Sequence, residues 1–383
     1  MSEMLSQARQ LAPTIRERAQ EIERARRLPA DLAATLAQAG VFRIMLPRSL
    51  GGLELGAADA LRVIEAIGEA DASTGWCVMI AATSSLSAAY LPVEAARRIH
   101  ATPTTITGGV FAPMGKARAE GDGYRLSGRW QWASGSANCA WLAGGSAILE
   151  DGKPRLLPNG ALDSRMLFFP ASAATLIDSW HTSGLCGTGS GEMQVDDITV
   201  PREYSVSLIT DLPREQGPLY RFPVFGLLAL GIAAVMLGNA RAAVADLVEL
   251  AGAKKPQASS RTLAERAAAQ AELAQAEARL RGARAFYYEA VGEAWSKACA
   301  GDPLDTAARA SLRLAATHAV RTCADVARAM HDLGGGSSVF LSSALQRRFR
   351  DAHVGTQHMM VSPATWELTG RVLMGLPTDA SVL

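Results

Sequence analysis

Between residues 105 and 215 the chain changes texture, and that interruption narrows the folds open to it more than any other feature. Segments there are short and punctuated by Gly and Pro. "GDGYRLSGRWQWASG" carries an Asp122-Gly123 turn signal, then Tyr124 and Leu126, then Trp130 and Trp132, at the period of two of a strand. "WLAGGSAIL", "RMLFFP" and "MQVDDITVP" read as further strands, while "TGGVFAPMGKA" (107–117) reads as a loop.

On either side the period is helical. "PADLAATLAQAG" begins with Pro29 and stops at Gly40, the asymmetry of a helix with defined ends. Leu61, Ile64, Ile67 and Gly68 share one face in the next helix. After residue 216, "FGLLALGIAAVMLG" has the length of a buried helix. Leu273, Leu280, Tyr287 and Ala294 recur seven apart, and Leu312, Ala316, Val320, Cys323 and Ala327 form one stripe. The chain therefore divides into an N-terminal α-helical domain (1–104), a middle β-domain (105–215) and a C-terminal helical bundle (216–383), an α+β protein.

The remaining composition mostly excludes. There are 38 basic and 37 acidic residues, which leaves no electrostatic footprint for nucleic acid or an anionic membrane. Cys77, Cys139, Cys186, Cys299 and Cys323 are scattered without a CxxC pair, so they read as reduced thiols of a cytoplasmic protein rather than a disulfide frame or metal site. The charged, amphipathic first helix lacks the apolar centre of a signal peptide, and no apolar run reaches the ~20 residues a bilayer needs.

Three segments in this order resemble the acyl-CoA dehydrogenase superfamily. "SWHTSGLCGTGSGEMQVDDITVPREY" (179–204) is similar to its W-x-x-x-G-x-x-x-T-G-S and V-x-x-V-x-V-P patterns. "GYRLSGRWQWASG" resembles its strand ending in W-[IV]-[ST]-[NG], and "LGGG" followed by "RRFRDAH" resembles its C-terminal region. The textures "DGYRLSGRWQWASG" and "RDAHVGTQHMMVSP" are similar to those of one sub-branch, the two-component flavin-dependent monooxygenases of aromatic and indole-type rings. The resemblance implies helices, then a β-barrel or sandwich, then a four-helix bundle. It also implies reduced FAD (FMN as the alternative), a separate NAD(P)H:flavin reductase, O2 as co-substrate, and a homotetramer built as a dimer of dimers.

It implies site residues as well. Ser134 would bond flavin N5, with Trp132 and Trp180 along the ring system. Thr188, Gly189 and Ser190 would form a nest for flavin oxygens. Arg261 would reach a flavin phosphate of a neighbouring subunit, and Gly334 and Gly335 would line the dinucleotide. Two departures define the chemistry. Met359 stands where a dehydrogenase carries its glutamate base, and methionine cannot take a proton. The 107–117 segment lacks the acidic and serine positions of a thioester pocket. Phe111, Pro113, Met114, Tyr220, Phe222, Phe225 and Met359 remain to line an apolar pocket for a flat ring. His358, beside Met359, would take a proton from a phenol or indole N–H, or orient the oxygen of a C4a-hydroperoxyflavin. The expected activity is hydroxylation of an aromatic or heteroaromatic ring. The alternatives are an acyl-CoA dehydrogenase-like FAD oxidoreductase with a relocated base, served by an electron-transferring flavoprotein, and a flavin-binding scaffold without turnover.

Overall fold

The structure, a computed structural model, describes residues 3–257, 259–380 and 383. Five helices come first: α1 (Glu3–Ala25), α2 (Ala30–Gln38), α3 (Ala57–Ala70), α4 (Ala72–Leu86) and α5 (Val93–Ile99). Pro29 precedes α2 with its φ of −55°, and Gly40 ends that region in the left-handed conformation. Between α3 and α4 a single extended residue, Asp71, turns the chain. Its carboxylate accepts from Thr74 N–H at 2.8 Å and so caps α4.

The middle strands form one mixed sheet: β1 (Thr107–Glu120), β2 (Gly123–Trp130), β3 (Trp141–Glu150), β4 (Lys153–Pro154), β5 (Ser164–Pro170), β6 (Thr175–Ile177), β7 (Glu192–Pro201) and β8 (Ser205–Val206). The spatial order is β6-β7-β2-β1-β3-β5-β8, with β4 paired to β3. Residues 107–117 are therefore not a loop but most of the longest strand. Pairing is interrupted between Val110 and Gly115, and Pro113, which has no N–H to give a ladder, falls inside that break. The β1–β2 turn is Gly121-Asp122, one residue earlier than the Asp-Gly signal, because Gly121 supplies the positive φ of 54°. β1 and β3 are parallel neighbours, so the chain leaving β2 must cross the end of β1 to reach β3. The crossing loop, 131–140, carries Ser134.

Trp130 and Trp132 do not continue one alternation. β2 ends at Trp130, whose indole is fully buried with its N–H on the Gly145 carbonyl at 2.7 Å. A Cβ on Gly115, Gly128 or Gly144 would sit 2.4 Å from that ring, so three adjacent strands leave room for a single side chain. Trp132 instead adopts φ +66° and is 55% exposed.

The closing helices are α6 (Pro218–Arg221), α7 (Val224–Ala253), α8 (Ala267–Ala300), α9 (Thr306–Gly334), α10 (Ala344–Gly355) and α11 (Ala364–Leu373). The stripe Leu312, Ala316, Val320, Cys323, Ala327 is buried throughout, as are Leu280, Tyr287 and Ala294. α7 runs to 30 residues, past the apolar run 225–238. Among the described residues it alone is long and apolar enough to cross a bilayer, and 89% of its most apolar window is buried inside the fold. Backbones meet where α3 crosses α7: a Cβ on Gly68 would stand 2.9 Å from Val235, and one on Gly238 2.2 Å from the Glu65 carbonyl. Helices from both ends of the chain thus share one apolar core, and the sheet has a second.

Candidate active site

The crossing loop, the turn 185–190 and α4 bring three hydroxyls into one row. Thr188 Oγ1 donates to the Leu185 carbonyl at 2.7 Å. Thr188 and Ser190 hydroxyls are 2.6 Å apart, as are those of Ser190 and Ser134. The Trp76 indole N–H donates to Ser134 Oγ at 3.2 Å. A hydroxyl has one proton, and that of Thr188 is committed to the carbonyl. The Thr188–Ser190 contact then needs the Ser190 proton, and the Ser190–Ser134 contact needs that of Ser134. The row is polarised in one direction, from Trp76 through Ser134, Ser190 and Thr188 to Leu185. Ser134 keeps a lone pair and has no proton to spare. All three hydroxyl residues are buried.

Trp76 also joins this row to His358. The two rings lie 5.8 Å apart at 59°. His358 is half-buried at the start of a short turn after α10, and its Nδ1 accepts the Met360 N–H at 3.3 Å. That acceptance places the neutral ring's proton on Nε2. Burial first, and the charge of Arg313 second, lower the imidazole pKa to about 4. His358 is a neutral ring with an Nε2–H donor at physiological pH.

The other expected site residues separate into groups. Gly189 takes φ +55° within the 185–190 turn, and the Trp180 indole N–H donates to the Leu185 carbonyl at 2.9 Å, so both belong to the wall carrying Thr188 and Ser190. Phe111 and Phe225 meet edge to face at 5.1 Å. Met79 on α4 fills the space over Gly231 of α7, which puts Phe225 roughly 9 Å along α7 from the level of α4 just past Trp76. Pro113 and Met114 are exposed on β1. Tyr220 is buried with its hydroxyl 3.5 Å from the Met45 carbonyl, and Phe222 packs 6.3 Å from Trp295 of α8. Met359 is 75% exposed. Arg261 lies exposed before α8, and Gly334 and Gly335 end α9, where the Lys254 ammonium bonds the Gly334 carbonyl. No hydrogen bond or ring contact joins these last three to the hydroxyl row among the described residues.

Sequence reasoning did not single out Trp76, Asp351 or Arg313. The signal for Trp76 was Asp71-x-x-Thr74, which fixes the start of α4 and so the direction of the indole five residues on. Asp351 is buried and accepts the Leu185 N–H at 2.6 Å, holding the turn that supplies Thr188. Burial, then the nearby Asp71 charge, push its carboxyl up to about 7 against the pull of Arg347 and Arg350. Because the folded value is raised, the folded state binds this proton more tightly than the unfolded one. The group therefore costs stability as pH rises from about 4 to about 7, and nothing further above that. Asp351→Asn keeps an acceptor for Leu185 and removes the charge. Its melting temperature relative to the wild type is expected to climb by several degrees between pH 5 and pH 8, read by thermal denaturation across that range; a gap that narrows with pH would reverse the assignment.

The residues present fit a flavin. A buried hydroxyl row ending in a free lone pair meets a ring N–H, and the large, solvent-facing Trp132 beside it offers a face for a flat polar ring system. Among the described residues no carboxylate hydrogen-bonds the hydroxyl row or His358. Asp246, the first acid along α7, is engaged by buried Arg348 at 3.3 Å.

Comparison with known proteins agrees. Residues 2–94 match the acyl-CoA dehydrogenase N-terminal domain family, and residues 230–363 match the acyl-CoA dehydrogenase C-terminal domain family. The chain is 34% identical over 365 residues to the indole-3-acetate monooxygenase of Pseudomonas putida, covering 94% of this chain and 91% of that one. The crystal structure of 3-HSA hydroxylase from Rhodococcus sp. RHA1 superposes with a TM-score of 0.92 at 26% identity, over 100% of both chains. XiaF from Streptomyces sp., solved with FADH2 and glycerol, gives 0.89 at 25% identity, over 98% of this chain and 96% of that one.

Proposed function

The chain belongs to the acyl-CoA dehydrogenase-fold family of two-component flavin monooxygenases, and we propose that it hydroxylates an indole-type ring held between His358 and the Phe111–Phe225 pair. Its flavin is FAD or FMN, and its electrons come from a separate reductase. When bound, the reduced flavin supplies two electrons to O2, so that one oxygen atom enters the ring and the other leaves as water.

The chain's own groups have three tasks. Ser134 would hold the cofactor at N5. The observation that carries the reading is the polarity of the hydroxyl row. The lone pair left on Ser134 would accept from the N5–H of a reduced flavin. Ser134, its proton committed to Ser190, would have none to give the bare N5 of an oxidised flavin. His358, an Nε2–H donor, would orient the reacting oxygen rather than remove a proton from the ring substrate. The Phe111–Phe225 pair excludes water and packs the ring. Arg261 and the Gly334–Gly335 turn would serve the flavin phosphates and dinucleotide of a neighbouring subunit. That needs at least a second subunit, and the homotetramer of this reading would use the apolar surface of Val339, Phe340 and Leu341, 65%, 64% and 76% exposed. A near-neutral surface and a buried α7 support a cytoplasmic enzyme that works without membrane or nucleic acid.

The row is tested by anaerobic titration of the protein with reduced and with oxidised FAD. The wild type is expected to prefer the reduced form. Ser190→Ala frees the Ser134 proton to donate, so the preference should shrink about 3- to 10-fold, mainly through tighter binding of oxidised FAD. An unchanged ratio would remove the row from cofactor selection.

A further inference from the structure

Trp76 touches both halves of the site. Its indole N–H donates to Ser134 Oγ at 3.2 Å, and its ring lies 5.8 Å from the His358 imidazole at 59°. The indole is buried, and the backbone that carries it is clamped. Asp71 caps α4 by accepting from both the N–H and the hydroxyl of Thr74, each at 2.8 Å. A Cβ on Gly75, the residue before Trp76, would stand 2.7 Å from the Gly68 Cα of α3. Three residues on, Met79 fills the space over Gly231 of α7.

Each contact constrains its partner. An indole nitrogen donates and cannot accept. It therefore refuses the Ser134 proton, which goes to Ser190, and it occupies one lone pair of Ser134 Oγ, so the remaining lone pair has a fixed direction. On the other side, His358 Nδ1 accepts the Met360 N–H at 3.3 Å, a long bond that fixes the tautomer and holds the tilt of the ring weakly. The indole beside it fills the space into which the imidazole would tip.

From these contacts, and resting on the reading that Ser134 meets flavin N5 and His358 the reacting oxygen, we propose that Trp76 is a positioning residue for both. Its N–H aims the free lone pair of Ser134, and its ring sets the tilt of the His358 donor. One side chain on a clamped helix thereby keeps the cofactor contact and the oxygen contact in register. Without it both groups remain, but oxygen takes the two electrons of the reduced flavin and leaves as hydrogen peroxide.

The two contacts are separable. Trp76→Phe keeps a ring beside His358 and removes the N–H; Trp76→Leu removes both. The first readout is affinity for reduced FAD, by anaerobic titration without substrate or oxygen. Trp76→Phe is expected to weaken it about 3- to 10-fold. In a Ser134→Ala background the same change should shift it by less than about 2-fold, since the group it aims is gone. The second readout is product formed per oxygen consumed, with indole as substrate and the protein saturated with reduced FAD. Trp76→Phe should stay within about 2-fold of the wild type, and Trp76→Leu should fall about 10-fold. In a His358→Ala background Trp76→Leu should add no further loss. A Trp76 that only supported the fold would lower both readouts by the same factor in every background, and that result overturns the proposal. So does wild-type affinity for reduced FAD in Trp76→Phe. Should Trp76→Leu fail to fold, Trp76→Phe and its cycle with Ser134→Ala decide. The titration also separates this claim from the functional one. A protein that binds reduced FAD through the Trp76–Ser134 pair and hydroxylates no ring would sink the monooxygenase reading and leave the pairing standing.

Discussion

Replacing His358 by alanine is expected to lower ring hydroxylation about 100-fold while reduced FAD still binds and oxygen is still consumed. The imidazole touches Trp76 and the Met360 N–H, but no member of the hydroxyl row directly, so its loss leaves the flavin contacts in place. On the proposed reading, what disappears is the Nε2–H donor that orients the reacting oxygen. Oxygen then returns as hydrogen peroxide instead of entering the ring. Measuring oxygen uptake and hydroxylated product together gives the ratio. His358→Gln, which retains an N–H donor, should recover to within about tenfold of the wild type. The pH profile separates donor from base. With the imidazole lowered to about 4, the neutral ring is present throughout pH 6–9 and the rate of hydroxylation of a neutral ring should be flat there. A limb near pH 6.5 that vanishes in His358→Gln would make the imidazole an ordinary base instead.

Trp130→Ala should be the most destabilising single change in the sheet, by about 3–5 kcal/mol. The indole is fully buried, its N–H satisfies the Gly145 carbonyl, and the glycines around it exist to admit it. Truncation leaves a cavity bounded by three strands of backbone, which cannot collapse without breaking ladders. The cradle adds a second test. Gly144→Ala alone should destabilise, since its Cβ would lie 2.4 Å from the ring. In the Trp130→Ala background the same change enters empty space and should cost far less, a coupling read from a double-mutant cycle of thermal or urea melts. Additive effects would mean the glycines serve the backbone rather than the indole.

Helices were the legible part of this chain. Their apolar positions recur over many turns, so a stripe such as Leu312 to Ala327 is recognisable without knowing its neighbour. The sheet was legible except where a local rule was outweighed. Gly108, Gly109, Pro113 and Gly115 read as a loop because their cost in a strand is local, while what repays it, the Trp130 cradle and the bulge, comes from β2 and β3. Trp132 looked like a continuation of Trp130, since nothing in the sequence marks the left-handed backbone that turns it to solvent. Ser134, Thr188 and Ser190 were singled out by resemblance, but the direction of their hydrogen bonds depends on which carbonyl and which indole they meet. Arg313 was invisible for a related reason. A single arginine in an Arg-rich helix gives no sign of burial, and only the fold shows which one turns inward.

The central claim is that this chain uses reduced flavin to put one atom of O2 into an aromatic ring. The most direct measurement mixes the protein, saturated anaerobically with reduced FAD and an indole-ring substrate, with 18O2, and weighs the product by mass spectrometry. A hydroxylated ring carrying one 18O atom, formed in step with flavin oxidation and absent when oxidised FAD is supplied, is the predicted result. Recovery of the oxygen as hydrogen peroxide with the ring unchanged would contradict it, as would bleaching of bound oxidised FAD by an acyl-CoA.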